Sequence, residues 1–461
     1  MSPFQVHFLI GKRLTNVVNQ FLTRHIILPM LDLLRGQRTL KYYREFCANQ
    51  KLTRKEIRAT QERRFRSLVD DAVRNVPYYK KHKTDTMRDI SNLERWPVLT
   101  RKAIVDNLDA MRSRKPGINT TESKTGGSTG EPLRFHADMG HPGYATANLW
   151  RTFSWGGWKP GMRHTNLWGA WTDRMGQTSK KAKIRNGLEN VQFLDATNLS
   201  EESLKKYAKD LKEFKPVLLR GYAQAIYLMA EYVNQNDIEG INPTCIATSG
   251  EQLMQWQRPV IKEAFGAEPM DSYGCRECSV IAAECPEHEG YHISDETGIV
   301  EFVDDNDEPV AEGELGRMLI TDLTNHAMPF IRYEVGDLGR PTDHRCSCGR
   351  TLSLFKSVEG RITDFIVTPD NRFILGTGMS QTFWEMENVD RAILFQEKVS
   401  ELIIKVIPNE GYSEEDTKLI EKKVRNFVGE DMKVHVKLVS EIPMGRSGKR
   451  RSAISKVNVR F

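Results

Sequence analysis

Hydrophobic positions early in the chain recur at helical spacing. Phe65, Leu68, Val69, Ala72 and Val73 repeat every three to four residues, which predicts a helix with one buried face, and Asn75-Val76-Pro77 ends it. From about residue 120 the texture changes. "VQFLDA" (191–196) and "CIATSG" (245–250) read as buried strands, with "EESLKKYAKDLKEF" (201–214) and "QWQRPVIKEAF" (255–265) as amphipathic helices between them. Such alternation predicts α/β layers. Residues 297–340 turn β-rich, through "GIVEFVD" and "GRMLITD". Beyond residue 365 the strands "FIVT", "AILFQ" and "LIIKVI", a helix over 414–428 and the strand "MKVHVKLV" predict a small α+β unit.

Near the start, the apolar stretch Ile26 to Leu34 is interrupted by Pro29 and Asp32 and bracketed by Arg24 and Arg35. A spanning helix needs about 20 apolar residues, so none is expected. A secretory signal places basic residues before its apolar run, whereas Lys12 and Arg13 follow Val6–Ile10. Residues 4–35 predict amphipathic helices lying against the protein or on a membrane surface, with packing against the protein's own core as the expected use.

Composition narrows the class. A length of 461 residues corresponds to about three structural units. With 39% hydrophobic and 28% charged residues, collagen-like, disordered and coiled-coil readings fall away. The net charge of +6 is unevenly placed: residues 1–115 hold 25 Lys and Arg against 11 Asp and Glu, and the remainder 42 against 50. A basic lead-in on an acidic remainder reads either as a solvated helical face or as a surface that meets something anionic. Seven cysteines, an odd and clustered set, fit a reducing cytoplasm rather than an oxidised framework.

Two patterns carry chemistry. "SKTGGSTGEP" (123–132) is a glycine-rich loop whose amides and hydroxyls suit phosphate oxygens, without the Gly-Lys-Ser/Thr ending of a Walker A loop. "ECPEH" supplies Cys285 and His288, and "CSCG" supplies Cys346 and Cys348. These four form a Cys₃His set in two close pairs, the ligand mix of tetrahedral structural zinc. The other reading is reduced cysteines that happen to lie near one another. His292 is a spare ligand candidate, and Cys275 and Cys278 are read as unligated.

The loop is followed, in order, by "SYGCRE" (272–277), "IRYEVGD" (331–337), "EGRITD" (359–364) and "SGKRR" (447–451). Together these motifs resemble the adenylate-forming acyl-CoA and aminoacyl ligase superfamily. "RNVPYYKKH" (74–82) and "AECPEHEGYHI" (283–293) point to its phenylacetate–CoA ligase-like branch, which includes proteins of capsular polysaccharide biosynthesis. The resemblance covers about residues 65–461. It implies an α/β fold: a large multi-subdomain N-terminal domain, with 1–115 as its helical lead-in and 116–360 as its body, plus a small mobile α+β domain over 361–461. It also implies two half-reactions, in which ATP and a carboxylate form an acyl adenylate and a thiol such as CoA then takes the acyl group.

Residue roles follow from the same resemblance. Thr125, Gly126, Gly127, Ser128, Thr129 and Gly130 match the loop that holds the β- and γ-phosphates, although Glu131-Pro132-Leu133 follows where many relatives carry a lysine. Tyr273, beside Gly274, matches the residue that stacks on adenine, and Glu277 matches the Mg²⁺-binding glutamate. Ser249, Gly250 and Glu251 match a turn near the purine. Asp337 matches the ribose-binding carboxylate, Arg361 lies near ribose or phosphate, and Asp364 sits at the hinge. Lys449 matches the lysine that reaches the α-phosphate and the substrate carboxylate. Zinc is carried by some members at the Cys–His set.

On the substrate side, "RGYAQA" (220–225) resembles the segment bordering the acyl pocket, which singles out Gly221 and Tyr222. Trp150, Trp155, Trp158, Trp168 and Trp171 fall within 22 residues, as pocket lining or, as expected here, core. The expected partners are a small carboxylic acid and an acyl acceptor, with no nucleic acid, for a monomer or homodimer; the basic lead-in adds the expectation of a peripheral association at the inner face of a membrane or with polysaccharide assembly. The acceptor alternative is an amine or sugar in surface polysaccharide biosynthesis. The alternative of another class is a zinc-stabilised, non-enzymatic binding module.

Overall fold

The computed structural model describes residues 20–80, 85–124, 133–138, 140–169, 180–196, 199–361, 365–370, 372–375, 379, 383, 386–442 and 453–457. The lead-in is helical, as its periodicity predicts: α1 (Leu28–Leu34), α2 (Thr39–Asn49), α3 (Arg54–Asn75) and α4 (Arg101–Asp106). Helix α3 opens on a capping box in which Thr53 and Glu56 satisfy each other's backbone amides. It buries Phe65, Leu68, Val69 and Ala72 and closes at Val76, whose extended backbone precedes Pro77.

The body is built on one eleven-stranded sheet. After a short hairpin of β1 (Thr120–Lys124) and β2 (Arg134–Asp138), α5 (His141–Trp155) leads to β3 (His164–Trp168). The chain then runs α6 (Lys180–Leu188), β4 (Val191–Asp195), α7 (Glu201–Phe214), β5 (Leu218–Gly221), α8 (Ala223–Gln235), β6 (Cys245–Ser249), α9 (Gln257–Phe265) and β7 (Pro269–Cys275). Strands β4, β3, β5, β6 and β7 are neighbours in that order and all parallel. Alternate residues face opposite layers: Leu219 and Ile246 pack under α7–α9, while Leu218, Cys245 and Ala247 pack on the side of α5.

From β7 the sheet continues antiparallel through β8 (Ser279–Glu284), β9 (Tyr291–Ile293), β13 (Leu354–Arg361), β12 (Tyr333–Pro341), β11 (Gly316–Asp322) and β10 (Gly298–Val303). Helix α5 is fixed beneath this half by a fully buried ion pair. The Arg151 guanidinium meets both Glu296 carboxylate oxygens at 2.9 and 2.8 Å and Asn148 Oδ1 at 2.8 Å.

Past residue 365, the hairpin β14 (Phe365–Val367) and β15 (Phe373–Leu375) precedes a four-stranded sheet ordered β18 (Lys433–Leu438), β17 (Glu401–Pro408), β16 (Val389–Lys398), β19 (Ala453–Ser455). Strand β17 buries Leu402, Ile404 and Val406, every second residue. Helix α10 (Glu414–Val428) lays Ile420, Val424 and Val428 into the same apolar cluster at four-residue spacing. This is the small α+β unit that the pattern predicts. Among the described residues no helix is long and apolar enough to cross a membrane.

Candidate active site and metal cluster

The parallel half has the order second–first–third–fourth–fifth, so its chain direction reverses between β3 and β5. Open sheets of this kind bind ligands beyond the carboxyl ends of their strands, at that reversal. Cross-strand register sets the predicted residues side by side there. Leu167 pairs with Gly221, Gly221 with Thr248, and Ser249 with Ser272, so Tyr222 and Gly250 leave the sheet from adjacent strands, next to Tyr273 within β7.

Gly221 has no room for a side chain, since a Cβ would meet the Leu167 carbonyl and Ile226 at 2.9 Å. Tyr222 packs on Trp168 with ring centroids 4.3 Å apart. Trp168 is thus the tryptophan placed at the strand ends. Trp155 and Trp158 are buried core, in line with the expectation, and Trp171 lies outside the described residues. Gly250 takes a left-handed backbone (φ 84°), and Glu251 turns back to accept from the Gln224 amide at 3.2 Å. That bond ties the Ser249–Glu251 turn to the start of α8, next to Tyr222.

Strand β7 and the antiparallel half bring the nucleotide motifs together. The Tyr273 hydroxyl donates to Asp337 Oδ2 at 2.8 Å across 64 residues of sequence. The backbone of Asp337 pairs with that of Arg361 on β13. Glu277 sits in the β7–β8 turn, buried, and accepts from the Tyr333 hydroxyl at 3.1 Å. Burial, and then the Glu277 charge, push the Tyr333 phenol well above its ordinary range, so it remains a donor. Tyr333 lies inside "IRYEVGD" but sequence reasoning did not single it out. Thr125, Gly126, Gly127, Ser128, Thr129, Gly130, Asp364 and Lys449 lie outside the described residues.

Gly274 explains how Tyr273 and Glu277 are presented. The β7–β8 register shifts at Tyr273/Gly274, and a Cβ on Gly274 would stand 2.3 Å from the Ser279 carbonyl oxygen. Gly274→Ala must therefore part the two strands. We expect a stability loss of about 1–3 kcal/mol, read as a lower urea midpoint, together with weaker ATP binding. An unchanged midpoint and unchanged affinity contradict this account of the turn.

The cysteine cluster forms with a different histidine. Sγ of Cys285, Cys346 and Cys348 and a ring nitrogen of His292 all lie within 4.8 Å of one another. Cys285 and Cys346 sulfurs are 3.6 Å apart, and Cys348 Sγ is 3.3 Å from His292 Nε2. Two sulfurs at about 2.3 Å from one tetrahedral centre stand about 3.8 Å apart, close to the 3.6 Å between Cys285 and Cys346. Burial drives His292 down to about 4, which keeps the imidazole neutral. Trp155 meets the His292 ring edge-on at 5.5 Å, and the Arg350 guanidinium lies over Trp155 at 4.9 Å.

His288, named from the Cys285-x₂-His288 spacing, is not in this group. Its Nδ1 lies 3.3 Å from Glu284 Oε2 and 3.2 Å from the Arg258 guanidinium. The reason is the pleat. Ala283 and Cys285 share one face of β8 and Ala283 pairs with His292, while Glu284 points to the opposite face, where Arg258 holds it at 2.7 Å. On that same face Asp271 accepts from Thr248 (2.6 Å) and Tyr291 (2.8 Å). Burial raises the Asp271 carboxyl to about 6. Cys275 and Cys278 are also outside the cluster, and both thiols are held above their ordinary value.

Known proteins agree with this architecture. Residues 366–456 match the family described as the CapK C-terminal domain. Protein CapK of Staphylococcus aureus is 24% identical over 406 residues, 86% of this chain and 89% of that protein. A phenylacetate-coenzyme A ligase of Thermus thermophilus is 24% identical over 338 residues, 68% of this chain and 73% of the ligase. Among solved structures, a 2-hydroxyisobutyryl-CoA ligase in the postadenylation state has a TM-score of 0.69 at 19% identity, covering 88% of this chain and 91% of that one. By sequence, then, the chain is similar to CapK and the phenylacetate-coenzyme A ligases, and it shares its fold with a 2-hydroxyisobutyryl-CoA ligase.

Proposed function

We propose that the protein activates a carboxylic acid with ATP as an acyl adenylate and passes the acyl group to CoA. The observation that carries this is the bond of Tyr273 to Asp337, with Glu277 held by Tyr333 in the turn that ends the same strand, two strands across from Gly221. In the first step a substrate carboxylate oxygen attacks the α-phosphorus, the bond to the β-phosphate oxygen breaks, and pyrophosphate leaves. In the second, the thiol sulfur attacks the acyl carbon, the carbon–oxygen bond to AMP breaks, and the thiol proton passes to solvent.

In this reading Tyr273 stacks on adenine and Asp337 accepts from the ribose hydroxyls. The Tyr273–Asp337 bond sets both before ATP arrives. Arg361, opposite Asp337 on β13, reaches ribose or phosphate. Thr125–Gly130 cradle the β- and γ-phosphates, Asp364 is the hinge, and Lys449 steadies charge growing on the α-phosphate. A single buried carboxylate at Glu277 suits a hard cation held mainly by phosphates. Mg²⁺ held there would supply charge neutralisation to the phosphates. Gly221, Tyr222 and Trp168 border the acid. Cys285, His292, Cys346 and Cys348 would hold a structural Zn²⁺, which would supply a cross-link between the end of β8, β9 and the loop before β13.

A second acceptor, an amine or sugar, is favoured by one observation: the likeness to CapK spans more of the chain and includes the C-terminal domain. One experiment addresses both readings. Exchange of pyrophosphate into ATP is measured against a panel of aryl, acyl, amino and uronic acids, and CoA or amines are then added to the acid that responds. We expect exchange with one class of acid and AMP release that accelerates with CoA. No exchange across the panel with folded, metal-loaded protein removes the ligase reading. Acceleration by amines alone moves the acceptor to the second.

A further inference from the structure

Residues Thr23–Ile27 and α1 form one helical stretch whose inner side is fixed to the body. Thr23 is fully buried. Its hydroxyl donates to the Leu188 carbonyl at 3.2 Å and accepts from the Asn190 side-chain amide at 3.2 Å. Asn190 in turn donates to the Gly161 carbonyl at 2.8 Å. Leu28 is buried as well, and the Asp32 carboxylate accepts from the Thr39 and Leu40 amides at 3.0 and 2.9 Å.

The outward side of this docked stretch is apolar. Phe21, Leu22, Ile26, Met30, Leu33 and Leu34 are 40–82% exposed. Leu22, Ile26, Met30 and Leu33 follow at three- and four-residue spacing, so they form a stripe. Helix α6, on whose Leu188 carbonyl Thr23 docks, adds exposed Ile184 and Leu188 next to this stretch. A helix against a soluble body ordinarily turns its apolar stripe inward. A contiguous outward group of this size marks an interaction surface.

The rim of the face is basic. Residues 20–44 contain five Lys and Arg and one acid, Asp32, whose carboxylate is taken by two backbone amides. Residues 180–189 contain four Lys and Arg and one acid, Glu189, which pairs with Arg35 at 2.6 Å, so the two segments together hold nine Lys and Arg against two acids. Apolar knobs within a basic rim complement an anionic lipid surface: the side chains enter among the acyl chains and the cations meet the phosphates. A second copy of the chain would set one basic rim against another, which is repulsive. A nucleic acid would engage the cations and leave the apolar stripe in water.

We propose that this face, Phe21–Leu34 with Ile184 and Leu188, seats the protein on an anionic bilayer surface. None of these residues belongs to the nucleotide or acyl positions, so the surface and the acyl-transfer reading stand or fall separately. The test is sedimentation of the full chain with vesicles of phosphatidylcholine alone or mixed with phosphatidylglycerol. The expected result is binding to the mixed vesicles, weak binding to phosphatidylcholine, and weakening with salt. Ile26→Glu/Leu33→Glu/Leu34→Glu should lower partitioning at least about tenfold, with unfolding midpoint and pyrophosphate exchange unchanged. No binding by the wild-type chain, or equal binding by the triple variant, overturns the proposal. So does a dimer, seen by light scattering, that the triple variant abolishes in the absence of vesicle binding. Binding to duplex DNA without binding to vesicles overturns it too, as does vesicle binding that appears only once residues 1–19 are removed.

Discussion

Glu277→Gln is expected to slow acid-dependent pyrophosphate exchange about 10²–10³-fold, the cost of removing one well-placed electrostatic group from a transition state. The substitution keeps the shape, and an amide oxygen still accepts from the Tyr333 hydroxyl, which bonds Glu277 at 3.1 Å. Folding should therefore be spared and the loss confined to charge. Two readouts separate a magnesium role from a structural one. The Mg²⁺ concentration for half-maximal exchange should rise in Glu277→Gln, and Tyr333→Phe should cost only about tenfold, the scale of one hydrogen bond to a charged group. Lys449→Ala should show a loss of similar size without the Mg²⁺ effect if, as proposed, its charge acts at the α-phosphate. Wild-type exchange in Glu277→Gln removes that residue from the site.

How far the sequence foretold this arrangement depends on the range of the force involved. Alternation is a one-strand property, so β17 could be read from Leu402, Ile404 and Val406 alone, and the α3 boundary from Val76-Pro77. The motif residues Tyr273 and Asp337 were legible by resemblance, yet their hydrogen bond was not, because it depends on how β7 and β12 are placed across an eleven-stranded sheet. The N-terminal stretch shows the same limit. Its amphipathic pattern is plain and leaves two uses open, packing against the core and lying on a membrane surface. The inner side packs through Thr23 and Leu28, while the stripe of Leu22, Ile26, Met30 and Leu33 is displayed, a division that the pattern alone does not give.

The cysteine cluster gives the sharpest contrast between spacing and pairing. Local spacing favours His288, three residues from Cys285, whereas the antiparallel pairing of β8 with β9 delivers His292 to the same face. We expect about one zinc per chain in protein isolated without chelator. His292→Ala and Cys346→Ser/Cys348→Ser should lose it, and His288→Ala should keep it. His288 lies against Glu284 and Arg258, so its removal disturbs that pair and leaves the sulfurs alone. Zinc at about 1,000 times its dissociation constant stabilises the native state by about 4 kcal/mol. Chelation should then lower the melting temperature by about 4 °C, since the unfolding entropy of a chain of 461 residues is about 1 kcal/mol/K, and His292→Ala should melt at the chelated value with or without added metal. Absence of zinc from the wild-type protein, or its loss in His288→Ala with retention in His292→Ala, would reverse the assignment.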